Sequence, residues 1–355
     1  MQQKIKLEGN IRKNLANLIK HEAEINHSKY YSKDIITSID FEKYTAGSLL
    51  EKVIERFSNY NYKNNSAEHT INLIQNHDTF ILSGFTSMFL TCIFSENFPE
   101  LEEKNNLTYK KNKLNIKTIE SGTLENLSIP QLSGKVLLKP NLVSVFPYPE
   151  TSDYNTIPAV LKKIRENKGI SKLYIADGPS LFFDSRLVFE NPELKKIAEA
   201  NSAELVDLNN SKFFKYTFNK EDGRENEENN IPFEIYLPEL LFEIDYVVSL
   251  SNLKEHDQAG FSGAMKNHIG MIAPFQRLKL HRDKNLKNAV PEIYNAIGAN
   301  FNVMDARKIM INAQQRLYSG KEAEGFGFLY GSNAKEIDSI AYNSLMQKIA
   351  FSRGD

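Results

Sequence analysis

The sequence predicts an α/β fold in three layers, a largely parallel sheet flanked by helices, with a helical appendage on its N-terminal side. From residue 133 onward, short apolar runs alternate with longer segments whose apolar residues recur at helical spacing. Strands that alternate with helices form crossover units, which build a parallel sheet covered by helices on both faces. Before that point only helical spacing is visible. We therefore predict a helical region over residues 1–125 and an α/β domain over residues 126–355.

Three segments with apolar residues three and four positions apart predict the helical region. They read IRKNLANLIKHEAEI, AGSLLEKVIERFSNY and TINLIQNHDTFILSGFTSMFLTCIF. The charged stretch PELEEKNNLTYKKNKLN follows them and is typical of a surface connector.

Five short apolar runs predict the main strands of the α/β domain, at KVLLKPN, SKLYIADGP, AELVDLNN, DYVVSLSN and FNVMDA. Helices are predicted at TIPAVLKKIRENK, at DSRLVFENPELKKIAEAN with a break at Pro192, at AVPEIYNAIGAN and at KEIDSIAYNSLMQKIAF. The stretch IPFEIYLPELLFEI, before the fourth of these strands, predicts one more strand and a short helical piece.

The composition narrows the classes of partner and cofactor. With 44 Lys and Arg against 45 Asp and Glu, the net charge is −1, and no basic field is present to recruit nucleic acid or an acidic membrane surface. The single cysteine, Cys92, excludes an internal disulfide, an iron–sulfur cluster and a cysteine zinc site. The first residues lack the apolar run of a signal peptide, and no window reaches the roughly 20 apolar residues of a membrane span. We predict a cytoplasmic protein without a membrane partner, and leave open whether it is a homo-oligomer.

Polar side chains follow five of the predicted strands. In a parallel sheet these strand ends share one edge, where loops open a crevice for a ligand. Asp and Asn also start turns and cap helices, which is a sufficient explanation for Asp207 and Asn209. It does not explain the lysines. The side chains expected at this edge are Lys139 and Asn141, Asp177, Asp207 and Asn209, Ser251 to His256, and Asp305.

The segment GFSGAMKNHIG predicts a binding site for an anion. Ser262 could cap a helix that starts here, and the free amides of a helix start attract a carboxylate or phosphate. Gly260 and Gly263 would let that ligand approach the backbone. Lys254 precedes the segment and Lys266 lies within it, and both add positive charge.

Lysine and histidine in the same region predict proton transfer. Two ammonium groups held close together, or one that is desolvated, would lower a lysine pKa toward neutrality and make it a proton acceptor. His256, His268 and His281 are candidates for proton transfer or for binding a divalent metal, although their spacing matches no compact metal motif. An ordinary surface or core histidine is the alternative for His281.

Several of these blocks resemble one known family. VLLKPNLV, IADGP, LVDLN, DYVVSLSNLKEHDQAGFSGAMKNHIGM, VMDA and SNAKEIDSIA are similar, in this order, to the recurring blocks of the family called domain of unknown function 362. The resemblance covers residues 133–350, and the block from 251 to 270 is its most specific part. It implies a distant similarity to the nickel-dependent lactate racemase group, which isomerises 2-hydroxy acids. It also implies a site made of Lys139, Asn141, Asp177, Lys254, His256, Lys266, Asn267, Asp305 and Asp338.

This chain departs from the family pattern in two ways. It lacks the cluster-binding cysteines of ferredoxin-bearing relatives, so no electron-transfer role is implied for it. Where relatives carry a glycine and proline motif, it has INAQQRLYSGKEAEGFGFLYGS, so we expect a different loop to close the pocket.

Together these observations predict an enzyme that acts on a small anionic, carboxylate-bearing metabolite by lysine and histidine proton transfer, with isomerisation as one fitting reaction. The predicted catalytic residues are Lys254, His256, Lys266 and Asp305, and the predicted substrate-binding residues are Lys139, Asn141, Asp177, Ser262, Gly263 and Asn267. The alternative is a protein that binds a metal or a small anion without turnover, with His256, His268 and His281 as metal ligands. A third hypothesis is an interaction scaffold whose helical appendage docks a partner.

Overall fold

The structure is a computed structural model that describes residues 9–26, scattered positions between 50 and 90, and residues 120–181, 185–218, 233–315 and 320–353. The chain divides into two compact units, residues 1–99 with 180–185, and residues 100–179 with 186–355. Each unit is described by itself. The predicted boundary at residue 125 stays a prediction. Within the described ranges, no helix is both long and apolar enough to cross a bilayer.

The first unit is helical where it is described. Helix α1 spans Gly9–Asn26 and contains the first predicted helical segment. Its buried residues are Leu15, Ala16, Ile19 and Ala23, which lie on one stripe because a helix repeats every 3.6 residues. Further along, most described positions within the second and third predicted segments are helical and buried, apart from Gln75 and the exposed turn residue Asn76, and Phe85 stacks on Phe89. The remainder of those two segments, with Cys92, lies outside the described residues.

The second unit is built on a mostly parallel sheet with flanking helices, as the sequence predicts. In the described part of the chain, the strand order is β1-β10-β9-β7-β2-β3-β4, and β8 pairs with β7. The pairs β9–β7, β7–β2, β2–β3 and β3–β4 are parallel. The strands are β1 Glu120–Gly122, β2 Ser133–Lys139, β3 Gly169–Asp177, β4 Ala203–Asp207, β5 Phe213–Phe218, β6 Phe233–Pro238, β7 Tyr246–His256, β8 Gly260–Ser262, β9 Phe301–Ile311 and β10 Lys321–Gly331.

Helices cover both faces of this sheet and complete three layers. On one face, the apolar sides of α2, α3 and α4 pack against β2, β3, β7 and β9. On the other face, α6 and the β5–β6 hairpin cover β2 and β7, while α7 covers β9 and β10. Alternate residues of each strand enter opposite clusters, since side chains alternate across a strand. The helices are α2 Thr156–Arg165, α3 Ser185–Phe189, α4 Pro192–Ala200, α5 Pro274–Arg282, α6 Leu286–Ile297 and α7 Ala334–Arg353.

Successive strands are added to the sheet on one side of β2 first and then on its other side. From β2 the chain moves outward to β3 and β4 through helices on one face, whereas β7 and β9, on the other side of β2, are joined through α6 on the opposite face. Such a topological switch point opens a crevice at the carboxyl ends of the strands. The carboxyl ends of β2 and β7 carry Lys139 and Lys254 to this crevice.

The predicted closing loop at residues 311–332 is largely a strand. Residues Lys321–Gly331 form β10, which pairs antiparallel with β9 and with β1. The sequence did not predict this strand, because it contains glycines and alternating charged residues and many of its residues face solvent. An antiparallel pair also needs no crossover helix that would mark it in the sequence. Strand β5 was also missing from the prediction, while β6 and the short helical turn after it are present as predicted.

Candidate active site

Lys139 and Asp177 form a buried ion pair at the ends of β2 and β3. The Lys139 side chain is 1% exposed, and its Nζ lies 2.5 Å from Asp177 Oδ1. Nζ also donates to the carbonyl of Pro140 at 3.0 Å and to Asn267 Oδ1 at 3.3 Å. Burial lowers the pKa of Lys139, and the Asp177 carboxylate opposes that shift. Three acceptors therefore match the three N–H bonds of a lysine ammonium group.

Two asparagines connect this ion pair to the neighbouring strand. Asn267 accepts from Lys139 and from Asn141 Nδ2 at 3.1 Å, and its own Nδ2 donates to Ser249 Oγ at 2.9 Å. Asn141 in turn presents Oδ1 to Lys254 Nζ at 2.7 Å. The predicted binding residues Lys139, Asn141, Asp177 and Asn267 thus form one hydrogen-bonded network that ends at Lys254.

Lys254 is buried without a carboxylate partner among its hydrogen bonds. Its side chain is 3% exposed, and Nζ donates to Asn141 Oδ1 and to the carbonyl of Glu150, both at 2.7 Å. Burial lowers the pKa of Lys254 to about 7, and the charge of Lys266 adds to this shift. At neutral pH, a large share of Lys254 side chains is therefore a neutral amine.

Lys266 is the cation around which the other groups are arranged. It is half-buried at the start of a 3-10 helix, and within the described residues its Nζ makes neither a hydrogen bond nor an ion pair. Burial lowers its pKa to about 8. Burial lowers the pKa values of Lys254, His256 and His281, and the charge of Lys266 adds to the shift at all three.

His256 and His281 face each other near Lys266, with ring centroids 6.4 Å apart. Burial, reinforced by Lys266, lowers the pKa of His256 to about 3 and that of His281 to about 4, so both rings are neutral at pH 7. The amides of Gln258 and Ala259 lie 3.2 and 3.3 Å from His256 Nδ1, and the Asp257 carboxylate lies 3.1 Å from the same atom. His281 Nδ1 lies 2.7 Å from the carbonyl of Arg277, which assigns its proton to Nδ1 and leaves a lone pair on Nε2.

His268 lies apart from this pair and has a structural role. It is fully buried, its Nδ1 lies 3.0 Å from the carbonyl of Ala264, and its Nε2 accepts from the amide of Ala299 at 2.8 Å. Both ring nitrogens are therefore used by the backbone, which does not fit the prediction of His268 as a metal ligand. Across the described ranges, no group of three or more His, Cys, Asp or Glu side chains is placed to hold a metal ion.

The amides predicted to bind an anion are occupied by Asp338. The carboxylate of this α7 residue accepts from the amide of Ala264 at 2.6 Å and from that of Met265 at 3.0 Å. Ser262 lies in β8 opposite Lys254 and does not cap the 3-10 helix, whose N-cap is Met265. The ligand that the sequence assigned to these amides is thus replaced by a carboxylate of the chain itself.

Gly263 is needed for this arrangement. A Cβ atom at Gly263 would clash with the Asp338 carboxylate and with Phe261. Burial raises the pKa of Asp338 to about 7, while its two backbone hydrogen bonds oppose the shift.

Asp305 belongs to a second polar cluster. Its Oδ1 accepts from Tyr148 at 2.8 Å, and its Oδ2 accepts from Thr156 at 3.1 Å and from Arg307 at 2.7 Å. Arg307 is 40% exposed and lies over the rings of Tyr148 and Phe328. The predicted catalytic Asp305 is therefore engaged by these side chains, and within the described residues none of its hydrogen-bond partners is one of the site lysines.

Three contributors to the site were missed in the sequence. Glu150 holds Lys254 through its carbonyl, and backbone groups leave no sequence signal. Arg277 is 5% exposed and donates to the carbonyls of Gly178 and Pro179 and to Asn209. Gly270 lies against the ion pair, where a Cβ atom would clash with Asp177 and Gly178. The position of Arg277 at the end of the first turn of α5 could have suggested a buried arginine, but its hydrogen-bond partners come from loops distant in sequence.

Comparison with known proteins identifies the family. A crystal structure of a Thermotoga maritima protein is 12% identical, with a TM-score of 0.37, over 63% of this chain and 56% of that one. The lactate racemase apoprotein from Thermoanaerobacterium thermosaccharolyticum is 16% identical, with a TM-score of 0.38, over 62% of this chain and 53% of that one. The match thus spans little more than half the length of each of these structures. A search of curated proteins found no match. The sequence model of the family described as Domain of unknown function (DUF362) matches residues 136–343, which is more than half of the 355 residues, and this chain belongs to that family.

Proposed function

We propose that this protein is an enzyme that acts on a small anionic, carboxylate-bearing metabolite through lysine and histidine proton transfer. One observation carries the proposal. Lys254 is buried between two neutral acceptors, and next to it Lys266 makes no hydrogen bond or ion pair within the described residues. A stable fold gains nothing from two neighbouring cations without a carboxylate between them, whereas a site for an anion needs them.

Lys266 is the group that would hold the carboxylate of the substrate. Lys139 already has Asp177, and its charge is balanced inside the protein. Lys266 is half-buried, with its pKa at about 8, so it is mostly charged at neutral pH. A carboxylate bound here would accept a charge-assisted hydrogen bond in a partly desolvated site, where such bonds are strong.

Lys254 and the two histidines would exchange protons with the substrate. Lys254 has a pKa of about 7, close to the value at which a general acid or base works best at neutral pH. His281 offers a lone pair on Nε2, and the neutral ring of His256 lies opposite it. Removal of a proton next to a carboxylate creates an enolate, and Lys266 would stabilise that negative charge. Isomerisation is one reaction that this set of groups supports.

The experiment is hydrogen exchange in D2O. A panel of small 2-hydroxy and 2-oxo carboxylates is incubated with the protein, and loss of the protons next to the carboxylate or carbonyl carbon is followed by NMR. We expect exchange with at least one compound, loss of exchange in Lys254→Ala with an almost unchanged melting temperature, and loss of binding in Lys266→Met. Lys195→Met, an exposed lysine on α4, is the matched control and should behave as the parent protein.

The alternative function, anion binding without turnover, makes a different prediction. It is supported by the same unpartnered Lys266, since a cation can bind and release a carboxylate without chemistry. Carboxylate binding that depends on Lys266, with no exchange for any compound in the panel, would favour this alternative. No binding of any compound to the parent protein would refute both.

A further inference from the structure

We infer that Lys254 is a nucleophile that forms a covalent imine with the carbonyl carbon of a 2-oxo carboxylate. This inference rests on the proposed function, because it uses Lys266 as the binding group for the carboxylate. It goes further by naming the electrophile next to that carboxylate and the atom that attacks it.

The hydrogen bonds of Lys254 are those of a neutral amine. An amine has two N–H bonds and one lone pair, and Lys254 Nζ has two acceptors, Asn141 Oδ1 and the carbonyl of Glu150, both at 2.7 Å. Neither acceptor carries a charge. The Glu150 carboxylate instead accepts from Ser144 Oγ at 2.6 Å. Both N–H bonds are thus held by the protein, and the lone pair is left for an electrophile.

Burial and a second cation keep this amine neutral. Burial disfavours the charged form of Lys254 most, and the charge of Lys266 adds to that effect. Lys266 itself has no hydrogen-bonded carboxylate within the described residues, and the opposing charge that acts on it is Asp257. A lysine becomes a nucleophile at neutral pH when it is desolvated or lies beside another cation, and Lys254 meets both conditions. Lys139, on the adjacent strand, is different, because one of its acceptors is the charged carboxylate of Asp177.

The substrate class follows from the spacing of two functions in one small molecule. A carboxylate held by Lys266 places the neighbouring carbon near Lys254, because Lys254 Nζ and Asn267, the residue next to Lys266, are both hydrogen-bonded to the Asn141 side chain. For that carbon to accept an amine it must be a carbonyl carbon. A 2-oxo carboxylate has both functions on adjacent atoms.

The covalent step balances without an oxidant or a reductant. The Lys254 lone pair forms the C–N bond while the carbonyl oxygen takes a proton and becomes a hydroxyl group. The nitrogen then loses its two protons and the hydroxyl group leaves as water, which gives C=N. His281 Nε2 can accept these protons from the nitrogen and return them to the oxygen, and the neutral His256 ring lies 6.4 Å from it between centroids. The imine acidifies the adjacent C–H bond, whose proton the His281 lone pair can accept, and water reverses the linkage.

The test is reductive trapping with pyruvate. The protein is incubated with pyruvate and sodium borohydride, digested, and mapped by mass spectrometry. We expect a carboxyethyl adduct on the peptide that contains Lys254 in the parent protein, and the same adduct in Lys195→Met. Lactate, which lacks the carbonyl group, should give none. Lys266→Met should lower the yield roughly 10- to 100-fold, the loss typical of a hydrogen bond to a charged group.

The outcomes separate this inference from the proposed function. If pyruvate binds in a Lys266-dependent manner but no adduct forms, or if the adduct forms on another lysine, the imine is refuted and proton transfer on a carboxylate still stands. If pyruvate and the other carboxylates do not bind at all, the proposed function itself is refuted. Because the map locates the adduct in the unaltered chain, the result does not depend on the folding of a Lys254 variant.

Discussion

Two buried lysines at the ends of adjacent parallel strands have opposite surroundings in this protein. Lys139, at the end of β2, has three acceptors, one of them the Asp177 carboxylate at 2.5 Å. Lys254, near the end of β7, has two acceptors, both neutral. The two side chains belong to one network through Asn141 and Asn267, and they are almost equally buried, at 1% and 3% exposure.

The difference shows that burial alone does not define the role of a lysine. A buried ammonium group with a carboxylate and two more acceptors is a structural cross-link between strands. A buried amine that has only neutral partners and a cation beside it has a lowered pKa and is available for chemistry. The number and charge of the acceptors therefore distinguish Lys139, which is paired with a carboxylate, from Lys254, which we propose to be reactive.

The largest effect should come from breaking the ion pair of the structural lysine. Lys139→Met or Asp177→Asn alone should lower the free energy of unfolding by about 3–5 kcal/mol, because either change leaves a buried group without its partner. Lys254→Met should cost less, below about 2 kcal/mol, since two hydrogen bonds to neutral groups are lost. Chemical denaturation measures all three. Equal losses for Lys139→Met and Lys254→Met would contradict the comparison.

The double variant Lys139→Met with Asp177→Asn is the control for this prediction. It removes both members of the pair, so it should recover part of the loss seen in each single variant. A double variant whose loss equals the sum of the two single losses would show that the two groups do not interact.

Packing around the ion pair should be the next most sensitive feature. Gly270→Ala places a methyl group against Asp177 and Gly178, and we expect a loss of about 1–3 kcal/mol, as for other overpacked sites. The matched change is Gly260→Ala in the β7–β8 turn, where nothing lies within 4 Å of the added Cβ but φ is +80°. Its cost should be only the backbone strain, about 1 kcal/mol. A smaller loss at Gly270 than at Gly260 would argue against a tightly packed ion pair.

The pH dependence of stability should separate Lys254 from Asp338. The pKa of Lys254 falls from 10.5 to about 7 on folding, so between these values the unfolded chain holds the extra proton and stability rises with pH. The pKa of Asp338 rises from 3.8 to about 7, so from pH 3.8 to 7 the folded chain holds the extra proton and stability falls as pH increases. His256 and His281 oppose the trend of Asp338, because their pKa values fall from 6.5 to about 3 and 4 and stability then rises with pH in the acidic range. Each trend is therefore measured as the difference in denaturation midpoint between the parent protein and a variant across the pH range.

Each trend has its own variant. Lys254→Met should flatten the rise above pH 7 and leave the acidic side unchanged, and Asp338→Asn should do the reverse. If Lys254→Met leaves the alkaline trend intact, Lys254 is not the group with the lowered pKa.

The smallest effect should be a change in histidine titration. Lys266→Met removes the charge that depresses the pKa values of His256 and His281, so both should rise from about 3 and 4. Lys266→Arg keeps the charge and should leave both values low. NMR titration of the imidazole C–H signals measures the shift. Unchanged values in Lys266→Met would place Lys266 farther from the rings than the structure does.

Local pattern was sufficient for much of the fold. Short apolar runs followed by polar residues correctly predicted β2, β3, β4, β7 and β9, because a strand buried on both faces has a distinctive composition. The antiparallel pairing of β10 with β9 was not predicted, because such pairing depends on the neighbouring strand and not on the sequence of β10 alone. Residue type likewise drew attention to Lys139, Lys254 and Lys266, since lysine is costly to bury. It could not show that Asp338 fills the predicted anion site, 73 and 74 positions away from its two amide partners.

The sequence by itself determined the alternation of strands and helices, the family, and the set of ionisable groups at the strand ends. These features depend on periodicity and residue type, which are local. Only the tertiary structure decided which lysine is paired with a carboxylate and which has only neutral hydrogen-bond acceptors. That outcome depends on whether Asp177, the Glu150 carbonyl or Lys266 comes within a few ångströms of a given Nζ. Loops far apart in sequence set those distances, and electrostatic energy in a buried site depends on them steeply.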